Sequence, residues 1–118
     1  MRTVGDKELR LILATIRRAW NRYPERYAAL NRCRVAYGVY RCEECGEHKK
    51  KKAVDVDHIE PVVPLDGLSG TLEQRIGQYV IRLFVPATQL RILCKECHRG
   101  KSAGENVVRL ANRRKSLE

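Results

Sequence analysis

Cys42-Glu43-Glu44-Cys45 and Cys94-Lys95-Glu96-Cys97, the latter followed directly by His98, bracket Val54-Asp55-Val56-Asp57-His58-Ile59-Glu60-Pro61. A C-x-x-C turn lets two sulfurs face one ion, and two such turns supply the four ligands of a tetrahedral structural zinc. Cys42, Cys45, Cys94 and Cys97 are therefore the expected Zn2+ ligands. The competing readings are buried small hydrophobes or a redox pair, and the doubled spacing favours zinc. A shared ion would bring the distant segments together and place Asp57-His58 near His98. Those three side chains can hold a second metal and a general base. Cys33 is left over; it sits in a predicted helix without a partner and reads as a buried core thiol.

The chain has 118 residues, which predicts one compact domain spanning 1–118. Its hydrophobic fraction of 43% is that of a globular chain, and 6% aromatic residues predict a mostly aliphatic core. A core of this size is modest and gains from a structural metal. The formal net charge is +10. Four thiolates binding one Zn2+ would lower it by two and leave the chain strongly basic, which favours polyanions, chiefly nucleic acid. No apolar run approaches the roughly 20 residues that span a bilayer, so no membrane partner is expected. The N-terminal MRTVGDKELR lacks the apolar stretch of a signal peptide.

Residues 6–22 carry a helical stripe of Leu9, Ile12, Leu13, Ile16 and Trp20, with Asp6 as the expected cap. Pro24 opens a second predicted helix over 24–36, ended by Gly38. Residues 38–52 hold the first knuckle and the run Lys49-Lys50-Lys51-Lys52, read as a hairpin tip or loop. A short strand is predicted over 53–59, a loop over 65–70, and a helix over 71–84 opened by Thr71 and Gln74. Residues 89–93 predict a strand running into Cys94, and His98 to Arg114 a final helix weakened by Gly100 and Gly104. The last six residues, RRKSLE, read as frayed.

Hydrolysis of a phosphodiester needs a deprotonated water and stabilised charge on the phosphate and leaving oxygen. His58 suits the general base because imidazole titrates near working pH. Asp57 is a hard oxygen ligand and His98 an imidazole ligand; together they can hold one divalent ion with positions left open. Adjacent strand residues point to opposite faces, so Asp57 and His58 serve one phosphate only if the strand bends or ends there. His98 replacing Cys97 on zinc ranks lower, because four cysteines already complete the tetrahedron. His48, in the lysine-rich loop, reads as solvent-exposed. Asp55 lies close in sequence and is assigned no role.

CEEC, then VDVDHIEPV, then QLRILCKECHRGKS, in this order, resembles the HNH nucleases of the ββα-metal (His-Me finger) fold. The resemblance covers roughly residues 38–105. It implies an α+β chain: an N-terminal helical extension (1–37), an HNH core (38–105) and a C-terminal helix and tail (106–118). It further implies a metal-dependent endonuclease acting on DNA, with double-stranded DNA as substrate. His58 is its base, Asp57 and His98 hold the catalytic Mg2+, Mn2+, Ni2+ or Zn2+, and the products are a 5′-phosphate and a 3′-hydroxyl. One active centre cuts one strand, so a monomer nicks and a double-strand break needs two events or a dimer. The family's middle position is commonly Asn, where this chain has Gln89; its amide can still hold the loop bearing the histidine, with a longer side chain. Lys101 matches the lysine that follows CxxCHxx in many members. With Arg99 it stands at the start of the last predicted helix, where phosphate is favoured.

Lys49, Lys50, Lys51 and Lys52 either grip the DNA backbone or form a solvated tip. Arg17, Arg18, Arg22, Arg26, Arg32 and Arg34 either form a basic face or decorate exposed helix sides. Stand-alone proteins that this chain resembles are found near phage packaging genes and among restriction and mobile-element nucleases. That predicts a cytoplasmic location, in a bacterial host if phage-encoded, and sequence specificity that is weak or supplied by a partner protein such as a packaging component. The reading from a different class is a non-catalytic, zinc-stabilised module that binds nucleic acid.

Overall fold

A computed structural model describes residues 4–116. The architecture is α+β, with four α-helices and two small antiparallel sheets among the described residues. Helix α1 spans Asp6–Trp20 and α2 spans Pro24–Cys33. Strands β1 (Arg34–Ala36), β2 (Val39–Arg41) and β3 (His48–Lys50) form one sheet in that order. Strand β4 (Val54–His58), helix α3 (Leu72–Leu83), strand β5 (Leu90–Cys94) and helix α4 (Lys95–Ser116) follow. Among the described residues no helix is long and apolar enough to cross a membrane.

The cap of α1 falls one residue before the expected Asp6, which is instead the first helical residue. Gly5 holds the cap, and the Glu8 side chain reaches back to accept from the Gly5 N–H. Leu9 and Trp20 are buried along its apolar stripe. Pro24 opens α2, since a missing N–H costs nothing in a first turn. The helix stops at Cys33 rather than running to residue 36. Residues 34–36 instead pair with β2 through a tight turn in which Gly38 takes φ +68°, a conformation open to glycine. The lysine run is not the tip of the next hairpin: Lys49 and Lys50 lie on β3, Lys51 and Lys52 in the following 3-10 turn, and the first knuckle itself makes the tip.

Strands β4 and β5 pair antiparallel, with Val54 opposite Cys94, Val56 opposite Ile92 and His58 opposite Leu90. Opposed residues share a face. Val54, Val56 and His58 therefore join Leu90, Ile92 and Cys94 on one face, and Asp55 and Asp57 join Leu93 and Arg91 on the other. The first face closes onto a core of Trp20, Ala29, Leu30, Cys33, Val62, Tyr79 and Leu83. The N-terminal helices thus share one core with the strand pair. Cys33 is buried there, as expected of a core thiol. Helix α4 brings His98 and Lys101 to the second face and runs without a break through residue 105. Its first turn contains Cys97, so the second knuckle is the helix start. Helix α4 runs to Ser116, so the first four residues of the tail expected to be frayed are helical, and residues 117 and 118 lie outside the described residues.

Candidate metal centre and active-site cleft

The four cysteine sulfurs lie within 4.8 Å of one another. The Cys45 and Cys94 sulfurs are 3.9 Å apart, and a tetrahedral ion with sulfur ligands at about 2.3 Å sets sulfurs roughly 3.8 Å apart. Burial works against a Cys42 thiolate, but the N–H groups of Cys45, Cys94 and Glu44 outweigh it and hold its pKa down at about 6. Cys97, hydrogen-bonded to Cys94 and then crowded by Cys42 and Cys45, is pushed up to about 12. Four thiols gathered so tightly cannot all ionise without a cation, and that donor set fits a structural metal ion. The first knuckle is docked on β5 independently of any ion. Glu43 N–H donates to the Ile92 carbonyl at 2.8 Å, while the Glu43 carboxylate accepts from Ile92 N–H at 2.9 Å and from Arg32 at 2.7 Å.

At the far end of the strand pair, a cleft of about 230 Å3 is lined by Asp57, His58 and His98 together with the cations Arg17, Lys101 and Arg109. Asp57 and His58 point to opposite faces of β4, yet both reach this cleft because His58 is the last residue of the strand. The loop beyond is fixed by Arg82 of α3, whose guanidinium donates to the carbonyls of Pro61 and Val62.

His58 is 4% exposed, packed with its ring centre 4.8 Å from that of Trp20. Its Nε2 lies 2.8 Å from the Leu83 carbonyl at the end of α3. A carbonyl only accepts, so Nε2 carries the proton and Nδ1 keeps the lone pair. Burial pushes the imidazole pKa below its ordinary value, against the opposing pull of the Leu83 hydrogen bond. The ring is thereby a neutral base of fixed tautomer. It also lines a second hollow of about 250 Å3, shared with Glu60, Arg82 and Gln89.

The Asp57 Oδ1 and His98 Nε2 atoms face each other at 3.6 Å. That is too long for a hydrogen bond and suits two ligands each about 2.1 Å from one ion. On its other side, His98 Nδ1 donates to Asp55 Oδ2 at 2.9 Å, which leaves the Nε2 lone pair turned to Asp57. Lys95 holds the other Asp55 oxygen at 2.6 Å. Burial disfavours the Asp55 carboxylate, but Lys95 and His98 outweigh it and keep its pKa below the ordinary range. Asp55 is the residue that the sequence reading passed over. The period of two along Val54-Asp55-Val56-Asp57 puts it on the Asp57 face and was the available signal.

Lys101 is turned inward rather than outward. Its ammonium donates to Asp57 Oδ2 at 2.5 Å and to the His58 carbonyl. Arg99 is exposed on α4. Lys49 pairs with Glu47 at 3.2 Å, and Lys50, Lys51 and Lys52 are exposed, as is His48. Gln89 is also exposed; its backbone carbonyl accepts from Ile59 N–H at 3.0 Å, tying the start of β5 to the residue after His58. Of the arginines on the N-terminal segment, Arg32 is spent inside the fold on Glu43 and on the carbonyls of Ala87 and Leu90. Arg26 donates to the Asn21 carbonyl. A single basic face is therefore not what all six of these arginines form. Comparison with models of known families, with curated proteins and with solved structures finds no match to this chain.

Proposed function

We propose that this chain is a small metal-dependent endonuclease of the HNH type that hydrolyses DNA phosphodiester bonds, stabilised by zinc on Cys42, Cys45, Cys94 and Cys97. The observation that carries this reading is the pairing of an ion-sized gap between Asp57 and His98 with a neutral imidazole, His58, on the wall of the same cleft. A divalent ion held there would supply Lewis-acid stabilisation of the phosphate and the leaving oxygen. His58 Nδ1 takes a proton from water as that water attacks phosphorus. The Leu83 carbonyl stabilises the imidazolium that results, because Nε2–H donates to it. The bond from phosphorus to the 3′ oxygen breaks, the oxygen leaves with the electron pair and gains a proton from solvent, and His58 returns its proton to solvent. The products are a 5′-phosphate and a 3′-hydroxyl.

Nicking of supercoiled plasmid by purified protein tests this, run without added metal and with Mg2+, Mn2+ or Ni2+. Metal-dependent nicking is expected. Salt-sensitive plasmid binding with no cleavage in any metal would instead support a non-catalytic zinc module that binds nucleic acid.

The same reading assigns Asp55 to orienting His98. A carboxylate behind a metal-ligating histidine fixes its tautomer, and its loss typically costs 10–100-fold in metal affinity. Asp55→Asn is expected to weaken Mn2+ or Ni2+ binding by roughly tenfold or more in isothermal titration, with the zinc content unchanged. Unaltered affinity would leave Asp55 with no part beyond its ion pair with Lys95.

A further inference from the structure

We propose that Arg17, on the N-terminal helix α1, is the arginine of this cleft that binds the nucleic-acid phosphate; the proposal rests on the cleft being a phosphodiester site. Its guanidinium carbon lies 4.9 Å from the centre of the Trp20 ring, on the wall shared with Asp57, His58 and His98. Among the described residues, no carboxylate pairs with it and no carbonyl accepts from it. The other cleft cations are committed. Lys101 is held by Asp57 and the His58 carbonyl, and Arg109 donates to the Val63 carbonyl at 2.9 Å.

A guanidinium resting on an aromatic ring keeps its N–H edge free, and that edge matches two oxygens of a phosphate. Trp20 is buried, and its ring also packs on His58. One indole therefore braces both the base and the arginine, which fixes their spacing. Arg17 placed in this way stabilises the negative charge that grows on the non-bridging oxygens as water attacks. It also gives the N-terminal helix a place in the site, although that helix lies outside the stretch of chain that carries the HNH motifs.

Binding is read first, in a His58→Gln background, which keeps the packing on Trp20 while cutting does not interfere. Anisotropy of a short labelled DNA duplex across a salt series is expected to show Arg17→Ala binding about tenfold more weakly, with a log K against log salt slope smaller by about one. Arg17→Lys is expected to keep the slope and only part of the affinity. Arg10→Ala, an exposed charge elsewhere on α1, is the control and should change neither beyond the shared loss of net charge. In the otherwise unaltered protein, Arg17→Ala is expected to lower kcat for plasmid nicking by about 100-fold, with partial rescue by Arg17→Lys. A silent plasmid assay with the binding defect intact would sink the nuclease reading and uphold the phosphate site. Unchanged affinity and slope in Arg17→Ala would overturn the phosphate site whether or not the protein cuts.

Discussion

Stripping zinc from this protein with a strong chelator is expected to lower its thermal unfolding midpoint by about 10–20 °C, with one zinc released per chain. The size of the effect follows from how the fold is divided. The large hydrophobic cluster joins α1, α2 and α3 to β4 and β5 and needs no ion. The second cluster is only Cys42, Leu93 and Cys94, with Cys97 packed against it. There a bound metal would take the place of a core. Structural zinc contributes on the order of 10 kcal/mol in small domains, comparable with the whole stability of a domain this size. The hydrogen bonds that dock Glu43 on β5 remain after the ion leaves, so the loss is several kcal/mol rather than the full amount. At about 3–6 °C per kcal/mol, that gives the stated shift. Cys94→Ser should reproduce it, because Cys94 is buried and its N–H also supports the Cys42 sulfur. Zinc absent by metal analysis, or an unfolding midpoint indifferent to both chelator and Cys94→Ser, would show that these four sulfurs hold no structural ion.

The parts of this architecture that were legible in the sequence are those whose signal is local. Spacing within each C-x-x-C pair predicts the four-sulfur cluster, and the stripe from Leu9 to Trp20 predicts α1. Thr71 and Gln74 predict the start of α3, where the Thr71 hydroxyl accepts from Gln74 N–H at 3.2 Å. The α+β class follows from these pieces. Strand β1 was not legible, because nothing in residues 34–36 distinguishes the end of a helix from a strand. The pairing with β2 decides it, and a sequence window does not contain its partner.

The site divides in the same way. Asp57, His58 and His98 stand out because their residue types and motif spacing are unusual. What surrounds them does not. The Leu83 carbonyl that fixes the His58 tautomer is backbone, which every residue has. Trp20 reads as one more apolar position on a helix, and only the packing shows it against the His58 ring. Lys101 was legible only as a cation at the start of the last helix. Its inward turn onto Asp57 depends on α4 beginning at Lys95, three residues earlier than the first histidine of the predicted helix.

Removing the imidazole at position 58 carries the largest expected loss of activity. His58→Ala should lower metal-dependent nicking by about 100- to 10,000-fold, the range over which a positioned general base contributes. The difficulty in interpreting that variant is structural. His58 is nearly inaccessible, packs on Trp20 and is the donor for the Leu83 carbonyl, so alanine leaves a hole and an unpaired buried acceptor. Those two defects cost about 1–3 kcal/mol in stability. His58→Gln separates the roles. Its amide nitrogen can still donate to Leu83 and its length fills most of the space, but an amide does not accept a proton near neutral pH. A histidine needed only for packing predicts near-normal nicking in His58→Gln, with the unfolding midpoint restored. A histidine acting as base predicts that His58→Gln melts close to the unaltered protein, binds duplex DNA as well, and is as inactive as His58→Ala. Activity within about threefold of normal in the glutamine variant would remove His58 from the chemistry, and with it the case for hydrolysis in this cleft.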